Sequence, residues 1–177
     1  MASSCGGSLV TAFDFVWDRF TSRLEGLTDD EYFWLPAPGG WTIRPDTTGR
    51  WVMDGTELGP YPDLDPTPIT TIAWRICHLA GSALGGFAAR RFGPDGVSEE
   101  LPRHASEVAD FLAQSYGAWR AGMVALTAEQ WDEPLGPGWG PYATSTTFDL
   151  GLHVFDEVVH HAAEVGLLRD LYVGLRS

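Results

Sequence analysis

The densest chemistry in this sequence lies in one short stretch, Asp149-Leu-Gly-Leu-His153-Val-Phe-Asp156-Glu157-Val-Val-His160-His161-Ala-Ala-Glu164, which holds three of the five histidines. On a helix, side chains three or four residues apart share a face, with Cβ atoms about 5–6 Å apart. Two polar stripes follow. Asp149, His153, Asp156 and His160 form one, which reads as a solvated face. Glu157, His161 and Glu164 form the other, set among Leu150, Val154, Val158, Val165 and Leu168. A bundle helix turns its apolar side inward, so the second stripe meets the core. An isolated charge buried there is very costly. Glu157 and His161 therefore either close an internal salt bridge or aim both donors at a divalent cation about 2.0–2.2 Å from each.

His78, in Thr71-Ile-Ala-Trp74-Arg75-Ile-Cys77-His78-Leu-Ala, has no acid beside it and alone reads as a satisfied core histidine. Combined with Glu-x-x-x-His on another helix it becomes a third donor, because facing helices build metal sites by projecting such residues inward. Cys77 neighbours His78 in the chain but points about 100° away on a helix, which places it in the core. No Ser-His-Asp spacing, phosphate loop or nucleotide fingerprint is present.

The elements that must position these residues are helical, since the 3.6-residue period dominates and no alternating strand stands out. The first helix is expected over about Ser8 to Gly26, with Leu9, Phe13, Val16, Trp17, Phe20 and Leu24 on one stripe. Thr28 and Glu31 read as a capping box opening a short helical turn. A second helix is expected from about Ile69, with Thr67 or Pro68 at its start, to Phe92, and Gly85-Gly86 kinks or ends it. A third covers about Ser106 to Ala125 and a fourth about Phe148 to Tyr172, capped within Thr144 to Thr147. This is an all-α four-helix bundle with long crossover connections and short helical turns. It forms a single domain over residues 1–177, with residues 1–7 as a disordered tail and 35–68 as a long irregular loop. A faint repeat runs through it: Leu27-Thr28 with Glu31, then Gly40-Trp41, and Leu126-Thr127 with Gln130, then Gly138-Trp139.

Composition narrows the partners. The 177 residues are 44% hydrophobic with eight Trp, enough for a self-supporting core. Eleven basic residues, all Arg, face 24 acids for a net charge of −13. That field excludes nucleic acid and anionic membranes as natural partners. Two cysteines make no disulfide framework, and neither a signal peptide nor a long apolar stretch is visible, so a cytoplasmic protein is expected.

The segments Thr71 to Ala80 and Asp156 to Tyr172 resemble those of the DinB-like superfamily, also called DinB/YfiT-type, and Leu27-Thr-Asp-Asp-Glu-Tyr-Phe-Trp-Leu-Pro36 is similar to the turn after its first helix. The resemblance implies a four-helix bundle whose metal ligands are one His from helix two and a pair four residues apart on helix four: His78, Glu157 and His161 here. The commoner pattern has His where Glu157 stands. Glu164 falls where the family often has Gln or His, and is expected to orient a ligand. By the same resemblance the ion is divalent, zinc or nickel, and the chain is a transferase activating a low-molecular-weight thiol, with mycothiol favoured by the Lys-free, GC-rich-type composition. The substrate is a small molecule, and a homodimer is an open expectation. Trp41, Arg44 and Trp51 are candidates for a substrate rim, or Trp41 and Trp51 plug the bundle end. Two alternatives remain: metal-dependent hydrolysis with Glu164 or Asp149 as base, and a non-enzymatic bundle that binds an apolar ligand or dimerises.

Overall fold

In the computed structural model, the described residues are 5–58, 64–66, 68–93 and 100–176. The first helix, α1 (Cys5–Ser22), buries Leu9, Phe13, Val16, Trp17 and Phe20 as the periodicity requires. It starts earlier than expected. Cys5, Gly6 and Gly7 are helical rather than a tail, and Gly6 is buried because the Trp131 ring lies where its Cβ would stand. Packing here overrides the poor helix propensity of glycine.

The turn after it is α2 (Asp29–Tyr32), and Thr28 Oγ1 accepts from Glu31 N at 3.3 Å. Only half of the expected capping box forms. The Glu31 carboxylate turns inward to the Arg169 guanidinium, a stronger charged partner than a backbone N–H.

The span 35–68 is less irregular than expected. A small antiparallel hairpin pairs β1 (Ile43–Pro45) with β2 (Trp51–Met53), Ile43 opposite Met53. Asp46 Oδ1 shapes its turn by accepting from the backbone N–H of Thr48 and Arg50. Three-residue strands are too short to reveal a period of two. Trp41 N donates to Ile69 O and Thr71 N to Trp41 O, which pins the hairpin to the start of helix two.

That helix begins at Ile72, with Thr71 Oγ1 accepting from Trp74 N. Of the caps expected, Thr67 lies outside the described residues. It runs as α3 (Ile72–Cys77), a π-helical stretch (His78–Gly86) and α4 (Phe87–Phe92). The helix runs on through Gly85 and Gly86 to Phe92, the π-helical geometry giving way to α after Gly86. A π-helical stretch within an α-helix is rare and often marks a functional site, and this one begins at His78. The later helices are α5 (Val108–Ala125), α6 (Ala128–Trp131) and α7 (Thr147–Gly174). Thr127 with Gln130 and Thr146 with Asp149 close complete capping boxes.

The fold is all-α apart from the hairpin. α1 packs against α5 and α7, and the run from α3 to α4 also packs against α5 and α7. Trp17 stacks on Tyr116 with ring centroids 4.2 Å apart, and Phe13 meets Phe155 edge-on at 5.2 Å. Among the described residues, no helix is long and apolar enough to cross a membrane.

Candidate metal centre

Helix two and α7 lie side by side, and their facing turns bring His78, Glu157 and His161 together. Glu157 Oε2 stands 3.4 Å from His78 Nε2 and 3.2 Å from His161 Nε2. One potential ligand atom from each residue lies within 4.8 Å of the other two. Donors each about 2.1 Å from a tetrahedral ion stand about 3.4 Å from one another, so the two measured edges have the size of a zinc-type site.

The orientation of each ring has a cause. His161 is almost fully buried, and its Nδ1 lies 2.6 Å from Glu164 Oε2. A carboxylate at that distance assigns the proton to Nδ1. Glu164 is in turn held by Arg75, whose Nε is 3.1 Å from the same oxygen. Burial works to raise the Glu164 pKa, but the His161 hydrogen bond and the Arg75 charge outweigh it and keep the carboxyl ionised. On the other ligand, Trp74 stacks against the His78 ring, centroids 5.0 Å apart and planes 11° apart. The Trp74 indole N–H donates to Asp54 O, and Trp41 packs on Trp74 at 5.8 Å. Gly55, with φ +82, lets the Trp41 ring approach so closely that an added Cβ would lie 2.5 Å from it.

This network bears on whether a cation fits. With Nδ1–H given to Glu164, a neutral His161 points its Nε2 lone pair at an oxygen lone pair of Glu157. Two acceptors 3.2 Å apart repel unless a proton or a metal ion lies between them. The donor set therefore fits a divalent ion. The charge shifts agree. Burial lowers the His161 pKa, yet hydrogen bonds to Glu157 and Glu164 overcome it and the net shift is upward. Hydrogen bonds with His161 and His78 hold the Glu157 carboxyl well below the usual carboxylate range. A second group, His160, His161 and Glu164, is also close-set. It is poorly suited to a cation, because the Arg75 guanidinium already occupies Glu164 and lies 3.5 Å from His161 Nδ1.

The other candidates separate. Glu164 touches His161, as expected of an orienting group. Trp41 packs on Trp74, which in turn stacks on His78. Arg44 is paired with Asp54, and Trp51 packs on Phe33. Asp149 closes the cap of α7 through Thr146. His153 is exposed, as its stripe predicts, and it also borders the site: its Nε2 lies 4.0 Å from Glu157 Oε1, and its ring meets Phe87 edge-on at 5.5 Å. Arg75 and Trp74 were not among the candidates, although both precede His78 within one helical turn.

The family model of the DinB superfamily matches residues 12–165. The chain belongs to the DinB superfamily. Comparisons with curated proteins and with solved structures find no match. The matched span of this DinB superfamily chain includes His78, Glu157, His161 and the Arg75–Glu164 pair behind them.

Two predictions arise here. Glu164→Ala is expected to weaken divalent-ion binding by about 10–100-fold, the usual effect of losing the group that orients a ligating histidine. Glu164→Gln, whose amide oxygen still accepts from Nδ1–H, should lose less, and competition against a chromogenic chelator measures both. Unchanged affinity in Glu164→Ala would show that His161 needs no such partner. The second concerns the cysteines. Cys77 is fully buried, and burial pushes its thiol up to about 12, whereas Cys5 is exposed. A charged aromatic disulfide reagent should modify one thiol in the folded protein at pH 8 and the second only after denaturation. Two fast-reacting thiols would contradict the core position of Cys77.

Proposed function

We propose that this chain is a metal-dependent transferase that activates a low-molecular-weight thiol of the mycothiol type for attack on a small electrophile, acting as a cytoplasmic homodimer. The observation that supports it is the convergence of His78, Glu157 and His161, with His78 and Glu157 partly open to solvent. A divalent ion, zinc or nickel by the family resemblance, would supply the charge that lets a thiol ionise at neutral pH. Two neutral imidazoles and one carboxylate leave that charge only partly neutralised. The chain's residues do the rest: Glu164 keeps the proton on His161 Nδ1, Arg75 keeps Glu164 ionised, and Trp74 fixes the plane of His78. In the reaction the thiol proton passes to solvent, the sulfur–carbon bond forms and the bond to the leaving group breaks.

The hydrolytic reading fits less well. Asp149 is committed to a helix cap, and Glu164 to His161 and Arg75, so both candidate bases are already engaged.

The test is elemental analysis of the purified protein together with consumption of a chloronitrobenzene-type electrophile with and without a small thiol. Stoichiometric metal and thiol-dependent consumption are expected. Consumption without thiol would favour hydrolysis. Absence of metal, with no stability change on chelation, would leave the non-enzymatic bundle.

A further inference from the structure

The turn following α6 carries the second Gly-Trp pair of the sequence repeat, and the metal centre leaves it unused. Gly136 and Gly140, both at positive φ, bracket it and turn Trp139 back onto helix two. There Trp139 stacks on Phe87, centroids 6.1 Å apart and planes 20° apart. Phe87 in turn meets His153, which lies beside Glu157. Beyond Trp139, the Arg90 guanidinium sits over the indole at 4.1 Å and donates to the Gly138 carbonyl. A continuous row, His153, Phe87, Trp139 and Arg90, thus runs from the acidic ligand outward along helix two.

Arg90 ends this row as an exposed cation with no carboxylate partner among the described residues. Among the described residues, no acid lies within 4.0 Å of it, in a chain of net charge −13. Its neighbour Arg91 is held differently, by Thr147 and near Glu133. Arg44, expected at a substrate rim, is neutralised by Asp54. Stacking on an indole fixes the plane of a guanidinium and leaves its edge free for the two parallel hydrogen bonds of a carboxylate. Phe87 and Trp139 are only partly buried, so their exposed ring edges add apolar area but little charge beside it.

We infer that this row is a binding subsite for an apolar or aromatic carboxylate, with the carboxylate on Arg90 and the hydrophobic body along Phe87 and Trp139. This rests on the reading of His78, Glu157 and His161 as the reacting centre, since it directs the other end of the ligand towards them. The substrate class that follows is an electrophile with an apolar linker and a carboxylate distant from its reactive atom.

The probes are ω-phenylalkanoates of increasing length and their uncharged amides, titrated calorimetrically into the full-length protein, both metal-loaded and chelated. The Trp139 indole N–H resonance, assigned through Trp139→Phe, reports the location. At least one carboxylate is expected to bind saturably, to shift that resonance and to bind at least tenfold more tightly than its amide. Arg90→Gln should abolish this preference in both metal states, and Arg90→Lys should restore part of it. Arg44→Gln should leave it intact. The inference is overturned if no carboxylate binds, if Arg90→Gln keeps the preference, or if chelation alone removes it, because the ligand would then sit on the ion. An intact subsite in a protein without thiol-dependent turnover would instead overturn the proposed reaction alone.

Discussion

Replacing His161 by alanine is expected to abolish stoichiometric metal binding while leaving the helices folded. The substitution removes a donor that Glu164 has already oriented. The loss should exceed the roughly 10–100-fold range expected for removing the orienting carboxylate itself. The fold should survive because no charge is orphaned: Glu164 keeps Arg75 at 3.1 Å and Glu157 keeps His78 at 3.4 Å. Elemental analysis after gel filtration reads the stoichiometry, and circular dichroism reads the fold. His160→Ala, at an exposed ring outside the His78–Glu157–His161 set, should retain the ion. One equivalent of metal in a folded His161→Ala protein would remove the basis for the centre.

The same geometry fixes the sign of the pH dependence. In the ion-free chain the pKa of His161 is raised by folding, so its protonation stabilises the native state. That contribution is complete below the unfolded value of about 6.5 and is lost as pH rises through the folded value. Glu157 is the opposite case: its lowered pKa gives stability present above about 4.3 and lost as pH falls through the folded value. A divalent ion must displace the His161 proton, so its affinity should rise with pH across the range in which that ring deprotonates. Titration in weakly buffered solution should detect proton release on metal addition, and none from His161→Ala.

The pairing of Glu157 with His161 was legible because i,i+4 spacing on a long periodic helix puts both on one face. His78, which alone reads as a core histidine, joined them only through the facing-helix argument and the family resemblance. His153 is exposed, as its stripe predicted, but helical phase did not say that it would neighbour Glu157 and Phe87 on the other stripe and the other helix. Local rules also misled at Glu31. The capping signal with Thr28 is genuine, and the Thr28 hydroxyl does cap, but the carboxylate is drawn to a guanidinium 138 residues away. Nothing in the sequence encodes that pairing. The hairpin was hidden by the brevity of its strands. The π-helical stretch escaped because Gly85 and Gly86 mark only a weak point in a helix, and packing against α5 and α7 decides how that weakness is resolved. The carboxylate behind His161 was visible as an i,i+3 neighbour. Arg75 was hidden because its partners, Glu164 and His161, are on another helix.

Arg169→Ala is expected to be among the most destabilising single substitutions in this chain. Arg169 Nε lies 2.7 Å from Glu31 Oε1 and Nη2 lies 3.2 Å from Oε2, while Nη1 donates to the carbonyls of Arg23 and Glu25. One guanidinium thus ties α7 to the end of α1 and to α2. Glu31 is only 4% exposed. Removing its partner leaves a buried carboxylate without a counter-charge, a change that costs about 3–5 kcal/mol. For a chain of this size, that corresponds to a fall in Tm of about 6–20 °C. Much of the cost comes from the stranded charge rather than from a large net gain by the pair, so removing both charges should be milder. The double substitution Glu31→Leu with Arg169→Met should therefore recover most of the lost stability, with Arg169→Lys intermediate because an ammonium cannot reproduce the two-pronged contact. Urea denaturation of the four proteins separates these cases. A double variant as unstable as Arg169→Ala would mean that the backbone contacts to Arg23 and Glu25, not the buried charge, dominate. The ion should bind all four alike, because this clamp shares no residue with His78, Glu157 or His161.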